Sequence, residues 1–258
     1  MIEHILSIAR EAGHRILDVY NNALDFEIEK KGDDSPLTLA DRISHEYIVN
    51  QLQKLDPSIP VLSEEGKDIP YDERKKWDKF WCVDPLDGTK EFIKRNGEFT
   101  INIALIEGPQ PVMGVIYVPV LDIMYFGQSG EFAYKIEQNG SRQEITVRKP
   151  DLNHLVAVQS RSHSTDAEKT LFEKLGVKDS ISRGSSLKFC MVAEGKADIY
   201  FRSGPTMEWD TAAGHAILLG AGGLIFHNAL TYNKPDLRNS GFIALSTVEL
   251  AKRIEEIE

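Results

Sequence analysis

The sequence predicts a mixed α and β protein, with an antiparallel sheet in its first half and alternating helices and strands in its second. Three observations predict it. Apolar residues recur at helical spacing near the start of the chain; a strand-like period dominates the middle; and after residue 150 the two patterns alternate. The 258 residues, 41% hydrophobic and 9% aromatic, suffice to bury a sizeable core.

Ile2, Ile5, Leu6, Ala9, Gly13, Ile16, Leu17 and Tyr20 mark one face of a first amphipathic helix. A second covers roughly residues 38–55, burying Ala40, Ile43, Tyr47, Ile48, Leu52 and Leu55, with Asp41 near its start and Pro57 at its end. TINIALIE, VMGVIYVP and DIMYFGQ read as strands, and QNG at 138–140 as a hairpin turn before the strand EITV. Then follow the strand VAVQS, the helix TDAEKTLFEKLG, a helix near 186–194, the strand ADIYF, a helix near 211–220 and the strand GLIFHN. Two units are expected, an α+β half over 1–150 and an α/β half over 151–258. No repeat of 20–50 residues is evident.

The charged fraction is 27% with signs interspersed, and no biased tract suggests disorder. A formal net charge of −10 opposes polymeric nucleic acid, whereas a small anion stays open if a bound cation inverts the charge locally. Cys82 and Cys190 have no metal-ligand spacing and read as buried core thiols. The N-terminal stretch is broken by charges and carries no cleavage signature; AILLGAGGLIF is too short and glycine-rich to span a bilayer. The expectation is a soluble, cytoplasmic chain.

WCVDPLDGTKEF, residues 81–92, places Asp84 and Asp87 in a Pro/Gly turn after a short apolar strand. Strand ends at a sheet's carboxyl edge are common ligand sites. Pro85 stiffens the turn, Gly88 allows close backbone approach, and Thr89 starts a short helix whose N–H groups suit a phosphate. Two carboxylates beside an anion site repel their own ligand unless a cation intervenes, and Mg²⁺ commonly bridges carboxylates to phosphate oxygens. The alternative is an ordinary Asx turn. LSEEG at 62–66 adds Glu64 and Glu65, otherwise a solvated surface pair. GPTMEWDTAAGHAIL at 204–218 adds Asp210, otherwise a helix cap. Glu64, Asp84, Asp87 and Asp210 together suit a site for two or more metal ions.

SEEG, WCVDPLDGTKEF and GPTMEWDTAAGHA resemble the paired signatures of the inositol monophosphatase superfamily of Mg²⁺-dependent, lithium-sensitive phosphatases, and within it the 3′(2′),5′-bisphosphate nucleotidase branch. The resemblance implies a layered α/β/α/β/α sandwich of the inositol monophosphatase and fructose-1,6-bisphosphatase type, with a mixed second sheet. It implies two or three Mg²⁺ ions: Glu64, Asp84 and the carbonyl of Leu86 on the first, Asp84, Asp87 and Asp210 on the second, with Glu65 behind them. Asp87, Gly88 and Thr89 would hold the phosphate, and Asp41 and Thr89 would orient the attacking water.

Inositol-type members usually carry an acidic residue where this chain has Arg202, and Lys188 falls where that branch is often neutral or acidic. Both changes favour a more anionic substrate. Ser160, Arg161, Ser185 and Ser186 match substrate-lining positions of the nucleotidase branch. The alternatives are Arg202 paired with a surface carboxylate and Lys188 directed to water. The implied activity is hydrolysis of 3′-phosphoadenosine 5′-phosphate to AMP and phosphate, clearing a by-product of sulfate assimilation. An inositol or broad sugar phosphatase, and a metal-dependent sensor without turnover, are the competing expectations.

Overall fold

The computed structural model describes residues 1–22, 28–30, 36–161 and 165–257. Helix α1 (Ile2–Asn22) is followed by an antiparallel strand pair, β1 (Ile28–Lys30) and β2 (Pro36–Thr38), and by α2 (Leu39–Leu55). Next come β3 (Val61–Ser63), the short α3 (Tyr71–Arg74), β4 (Lys79–Asp87), α4 (Thr89–Ile93), β5 (Thr100–Glu107), β6 (Gln110–Val118), β7 (Ile123–Gln128), β8 (Phe132–Ile136) and β9 (Arg142–Glu144). The second half contains β10 (Leu155–Ser160), α5 (Asp166–Leu175), β11 (Val177–Arg183), α6 (Leu187–Ala193), β12 (Ile199–Arg202), β13 (Thr206–Met207), α7 (Glu208–Gly220), β14 (Leu224–Phe226), β15 (Arg238–Asn239), β16 (Phe242–Leu245) and α8 (Val248–Glu255).

Strands β3 to β9 form a seven-stranded sheet in sequence order. It is a meander from β4 onward, but β3 runs parallel to β4, so the expected all-antiparallel sheet acquires one parallel edge. The reason is topological: the segment between β3 and β4 carries α3 and returns the chain to the same end of the sheet. The second sheet is mixed, in the order β11-β10-β12-β16-β14.

Side chains alternate across a strand, and the layers follow from that alternation. On β4, Trp81 and Val83 join the cluster made with α1 and α2, while Phe80 and Cys82 face the opposite way. There they meet α6 and α7, whose other side covers Val158, Tyr200 and Phe242 of the second sheet. Ile199, Ile243 and Leu245 on the far face of that sheet pack against α5 and α8. The result is a five-layer α/β/α/β/α sandwich. Helix α7 lies against β6 almost backbone to backbone, because a side chain at Gly114 would strike the Ala213 main chain. Cys82 and Cys190 are buried free thiols.

Several boundaries differ from the sequence expectation. The predicted strand EITV reaches only its first residue, Glu144, with Ile145 N adding one further bond to the Ala133 carbonyl. Helix α7 starts at Glu208, three residues earlier than expected, because the Glu208 carboxylate is anchored by the Asn233 and Lys234 backbone N–H groups. Strand β11, VKDSISR, lacks an apolar period because it is an exposed edge. Helix α5 keeps the expected limits: Thr165 caps the Glu168 N–H, and Gly176, at φ +72°, ends it in the left-handed region. Among the described residues no helix is long and apolar enough to cross a membrane.

Candidate active site

Three carboxylates from three separate segments meet on the inner face of the seven-stranded sheet. Glu64 follows β3 with the face parity of the inward Leu62, and its N–H donates to Val83 O (3.1 Å). Asp84 shares the parity of Phe80 and Cys82. Asp87, three residues further on, belongs on the opposite face in a regular strand. A bulge reverses this. Asp84 pairs with Asn102 and Asp87 with Thr100, so β4 uses one residue more than β5 over the same interval. Both aspartates therefore point inward, towards the start of α7. The strand continues through Asp87, where the sequence suggested a sharp turn directly after WCVD.

One carboxylate oxygen each from Glu64, Asp84 and Asp210 lies within 4.8 Å of the others. Asp210 is the third residue of α7 and accepts the Met207 N–H on Oδ2 (2.8 Å). Burial, then the charges of Glu64, Asp87, Asp210 and Asp41, push the Asp84 carboxyl well above the usual carboxylate range. Asp210 is raised likewise by burial, Asp87 and Glu64, and the Met207 N–H and Arg202 offset only part of this. A cation removes the conflict. The donor set consists of hard oxygen atoms, which fits Mg²⁺ and not a thiolate- or imidazole-seeking metal.

The connection is held from several sides. Leu86 N donates to Asp84 Oδ1 (3.1 Å), and buried Ser44 of α2 donates to Pro85 O (2.8 Å), on the same helix that carries buried Asp41. Gly88 has φ +93°, and a side chain there would strike the Ser185 hydroxyl. Thr89 opens α4 and lines a cavity of about 340 Å³ with Glu64, Asp84, Leu86 and Asp210. Glu65 is half-buried, and its charge acts on His45, whose Nδ1 lies 2.9 Å from Ser63 Oγ.

A second cavity of about 160 Å³ opens between the two halves, lined by Asp87, Gly88, Ser160, Ser185, Lys188 and Arg202 among others. Lys188 is buried, so the alternative of a lysine directed to water does not hold. Its Nζ donates to Ser185 O (2.6 Å) and stands 5.5 Å from the Tyr200 ring centroid. Burial and the neighbouring Arg202 lower its pKa, against the pull of Asp87. The Nε of Arg202 is shielded from solvent and has no hydrogen-bond partner among the described residues. A buried guanidinium N–H without an acceptor is costly; Arg202 also lines both cavities, where a guanidinium suits an anionic ligand. Arg161 is exposed, and its guanidinium engages Glu98 through Nη2 (2.7 Å) and Nε (3.2 Å). The rest of the SRSH segment lies outside the described residues.

Thr100, Asn102, Ser44 and Glu91 belong to this neighbourhood and were not singled out from the sequence. TINIALIE shows an apolar strand, and nothing local reveals that its polar positions face carboxylates. Asn102 opposite Asp84 was recoverable only with the strand register in hand.

The fold and its inward carboxylates describe an oxygen-donor site that could hold a divalent cation on the inner face of a layered sandwich. The sequence pattern of the inositol monophosphatase family matches residues 1–258, and the chain belongs to that family. It is 52% identical over 222 residues to the 3′(2′),5′-bisphosphate nucleotidase CysQ of Salmonella typhimurium, covering 86% of this chain and 88% of the relative. It is 48% identical over 223 residues to the protein of that name from Escherichia coli K12, with the same coverages. Among solved structures, CysQ from Bacteroides thetaiotaomicron, a bacterial member of the inositol monophosphatase family, superposes with a TM-score of 0.82 at 47% identity. The match covers 95% of this chain and 96% of that one. An inositol monophosphatase from Zymomonas mobilis gives a TM-score of 0.77 at 25% identity, covering 99% and 96%.

Proposed function

We propose that the chain is a metal-dependent 3′(2′),5′-bisphosphate nucleotidase that hydrolyses 3′-phosphoadenosine 5′-phosphate to AMP and phosphate. The observation that carries this reading is the adjacency of two charge sets: the carboxylates of Glu64, Asp84, Asp87 and Asp210, and the cationic wall of Lys188 and Arg202. One set suits cations that bind the scissile phosphate. The other suits a second phosphate. A monophosphate has no group for that wall, which is why the bisphosphate is preferred over an inositol or sugar phosphate.

In this reading Glu64, Asp84, Asp87 and Asp210, with the Leu86 carbonyl, would hold two or three Mg²⁺ ions. Bound there, magnesium would neutralise the charge that builds on the phosphoryl oxygens and acidify a water. Gly88 and Thr89 would direct backbone N–H groups at the phosphate, and Asp87 at the end of β4 would help set its position. Asp41 and the Thr89 hydroxyl orient the water for in-line attack, so positioning and electrostatics carry the reaction without a covalent nucleophile. Ser160, Arg161 and Ser185 border the nucleotide. Residues 1–150 act as the metal-binding half, and 151–258 supply Asp210 and the substrate wall. A cytoplasmic place in sulfate assimilation and sensitivity to lithium belong to the same reading.

The test is a side-by-side assay of phosphate release from 3′-phosphoadenosine 5′-phosphate and inositol 1-phosphate, with Mg²⁺ and with chelator. The bisphosphate is expected to show the higher kcat/KM, with chelation abolishing turnover. A higher kcat/KM on the inositol ester would overturn the nucleotidase reading, and binding without phosphate release would indicate a sensor. Arg202→Glu is expected to cost the bisphosphate on the order of tenfold or more in kcat/KM, consistent with loss of a charge-assisted contact, and to spare monophosphates. Equal losses on both would remove Arg202 from the substrate wall.

A further inference from the structure

The geometry points to Ser186 and Asn102 as a positioning relay that sets the Asp87 carboxylate for the cation, so that Ser186 serves the reaction through Asp87 and not through the substrate. This rests on the metal-dependent reading above.

The Ser186 hydroxyl donates to Asp87 Oδ2 (2.7 Å), with the Asp210 carbonyl as a second acceptor at 3.0 Å. It accepts from Asn102 Nδ2 (2.8 Å). The amide cannot be turned over without loss. Its Oδ1 accepts from Thr100 Oγ1 (3.1 Å), and its Nδ2 also lies 3.4 Å from Asp87 Oδ2. Exchanging the two would set a carbonyl oxygen against a carboxylate. Thr100 Oγ1 itself stands 3.4 Å from Asp87 Oδ2. One carboxylate oxygen is thus held by a chain of donors with a single sense.

Thr100, Asn102 and Ser186 are all buried, where a charge-assisted bond is worth more than in water and an unmade one costs more. The bulge in β4 brings Asp87 opposite Thr100 and in reach of Asn102, and Ser186 arrives from the other half of the chain immediately before α6. Because the same hydroxyl also reaches the Asp210 main-chain carbonyl, it ties the Asp87 carboxylate to the backbone of the helix that carries Asp210. Ser186 also lines the cavity beside Lys188, and its one O–H is already given to Asp87, so a substrate contact in which it donates would require it to leave that carboxylate. Partners that orient metal-binding side chains are typically worth about 10–100-fold in metal affinity or activity.

The test is Mn²⁺ binding by the full chain, followed by electron paramagnetic resonance without substrate, for wild type, Ser186→Ala, Asn102→Ser and the double variant. Each single variant is expected to weaken Mn²⁺ binding about tenfold, and the double variant little more than the worse single one, because Asn102 acts chiefly through Ser186 (2.8 Å) and only weakly on Asp87 directly (3.4 Å). Thermal midpoints should shift by only a few degrees. At saturating Mg²⁺, kcat should fall while the nucleotide KM stays near the wild-type value. Unchanged Mn²⁺ affinity in Ser186→Ala with a raised KM would overturn the relay and make Ser186 a substrate contact. Additive losses in the double variant would overturn it as well. Should Ser186→Ala not fold, Asn102→Ser is expected to show the same weakened Mn²⁺ binding, and unchanged affinity there would overturn the relay in its turn. Failure of the wild type to bind Mn²⁺ would instead overturn the metal-dependent reading itself.

Discussion

Two carboxylates sit two residues apart in the first turn of α7, and their surroundings are opposite. Glu208 is wholly buried and satisfied: its oxygens accept the Asn233 N–H (2.6 Å), the Lys234 N–H (2.9 Å) and Lys234 Nζ (2.7 Å). Lys234 is in turn bonded to Thr231 O and Asn239 Oδ1. Asp210 instead faces Glu64 and Asp84. Burial alone therefore does not distinguish a structural acid from a functional one. The fold supplies Glu208 with its cation, whereas in the proposed reading the crowded group at Asp210 would take one from solution.

The same substitution on the two sides should act in opposite directions. Asp84→Asn is expected to lower turnover on the order of 10²–10³-fold or more, by analogy with loss of one preorganised electrostatic group. Its metal-free thermal midpoint should hold or rise, because a neutral amide removes like-charge repulsion. Near-normal turnover would detach Asp84 from the metal site, and a large fall in the metal-free midpoint would show that its charge is already balanced. Glu208→Gln leaves Lys234 without its counter-charge and is expected to cost about 3 kcal/mol of stability, read by denaturant unfolding. Unchanged stability would erase the contrast.

A smaller effect sharpens the picture further along α7. Burial lowers the His215 pKa to about 4, and its Nδ1 lies 3.1 Å from the Tyr232 hydroxyl. Between its unfolded value of about 6.5 and its folded value, the unfolded chain binds a proton that the folded one refuses. Stability is therefore complete above about pH 6.5 and declines as pH falls, by about 2 kcal/mol at pH 5. His215→Gln should remove that component. The check is chemical unfolding of both proteins at pH 7 and pH 5; the same pH sensitivity in the variant would clear His215 of the effect.

Much of the site was legible because carboxylates, prolines and glycines act through local chemistry. SEEG, DPLDGT and EWD announce element ends rich in acid, and their combination resembles a specific family. Arg202 and Lys188 stood out only through the resemblance, as cations at positions where inositol-type members are usually acidic or neutral. Asn102, Thr100 and Ser44 did not stand out, since a polar residue in an apolar strand or helix has no meaning until its neighbours across the sheet are known. Ser186 stood out only because it resembles a substrate-lining position of the nucleotidase branch, and its link to Asp87 spans 99 positions of the chain.

The sequence by itself determined the alternation of helix and strand and the acidic side chains of Glu64, Asp84, Asp87 and Asp210 at element ends, because these follow from side-chain type and short-range periodicity, and the resemblance to the family singled out Lys188 and Arg202. Tertiary structure alone decided that the bulge at Pro85 and Leu86 turns Asp84 and Asp87 to one face, and that α7 delivers Asp210 to them across the sheet. The physical reason is parity and register: a single inserted residue reverses which way a strand's side chains point, and whether it is inserted depends on the pairing partner.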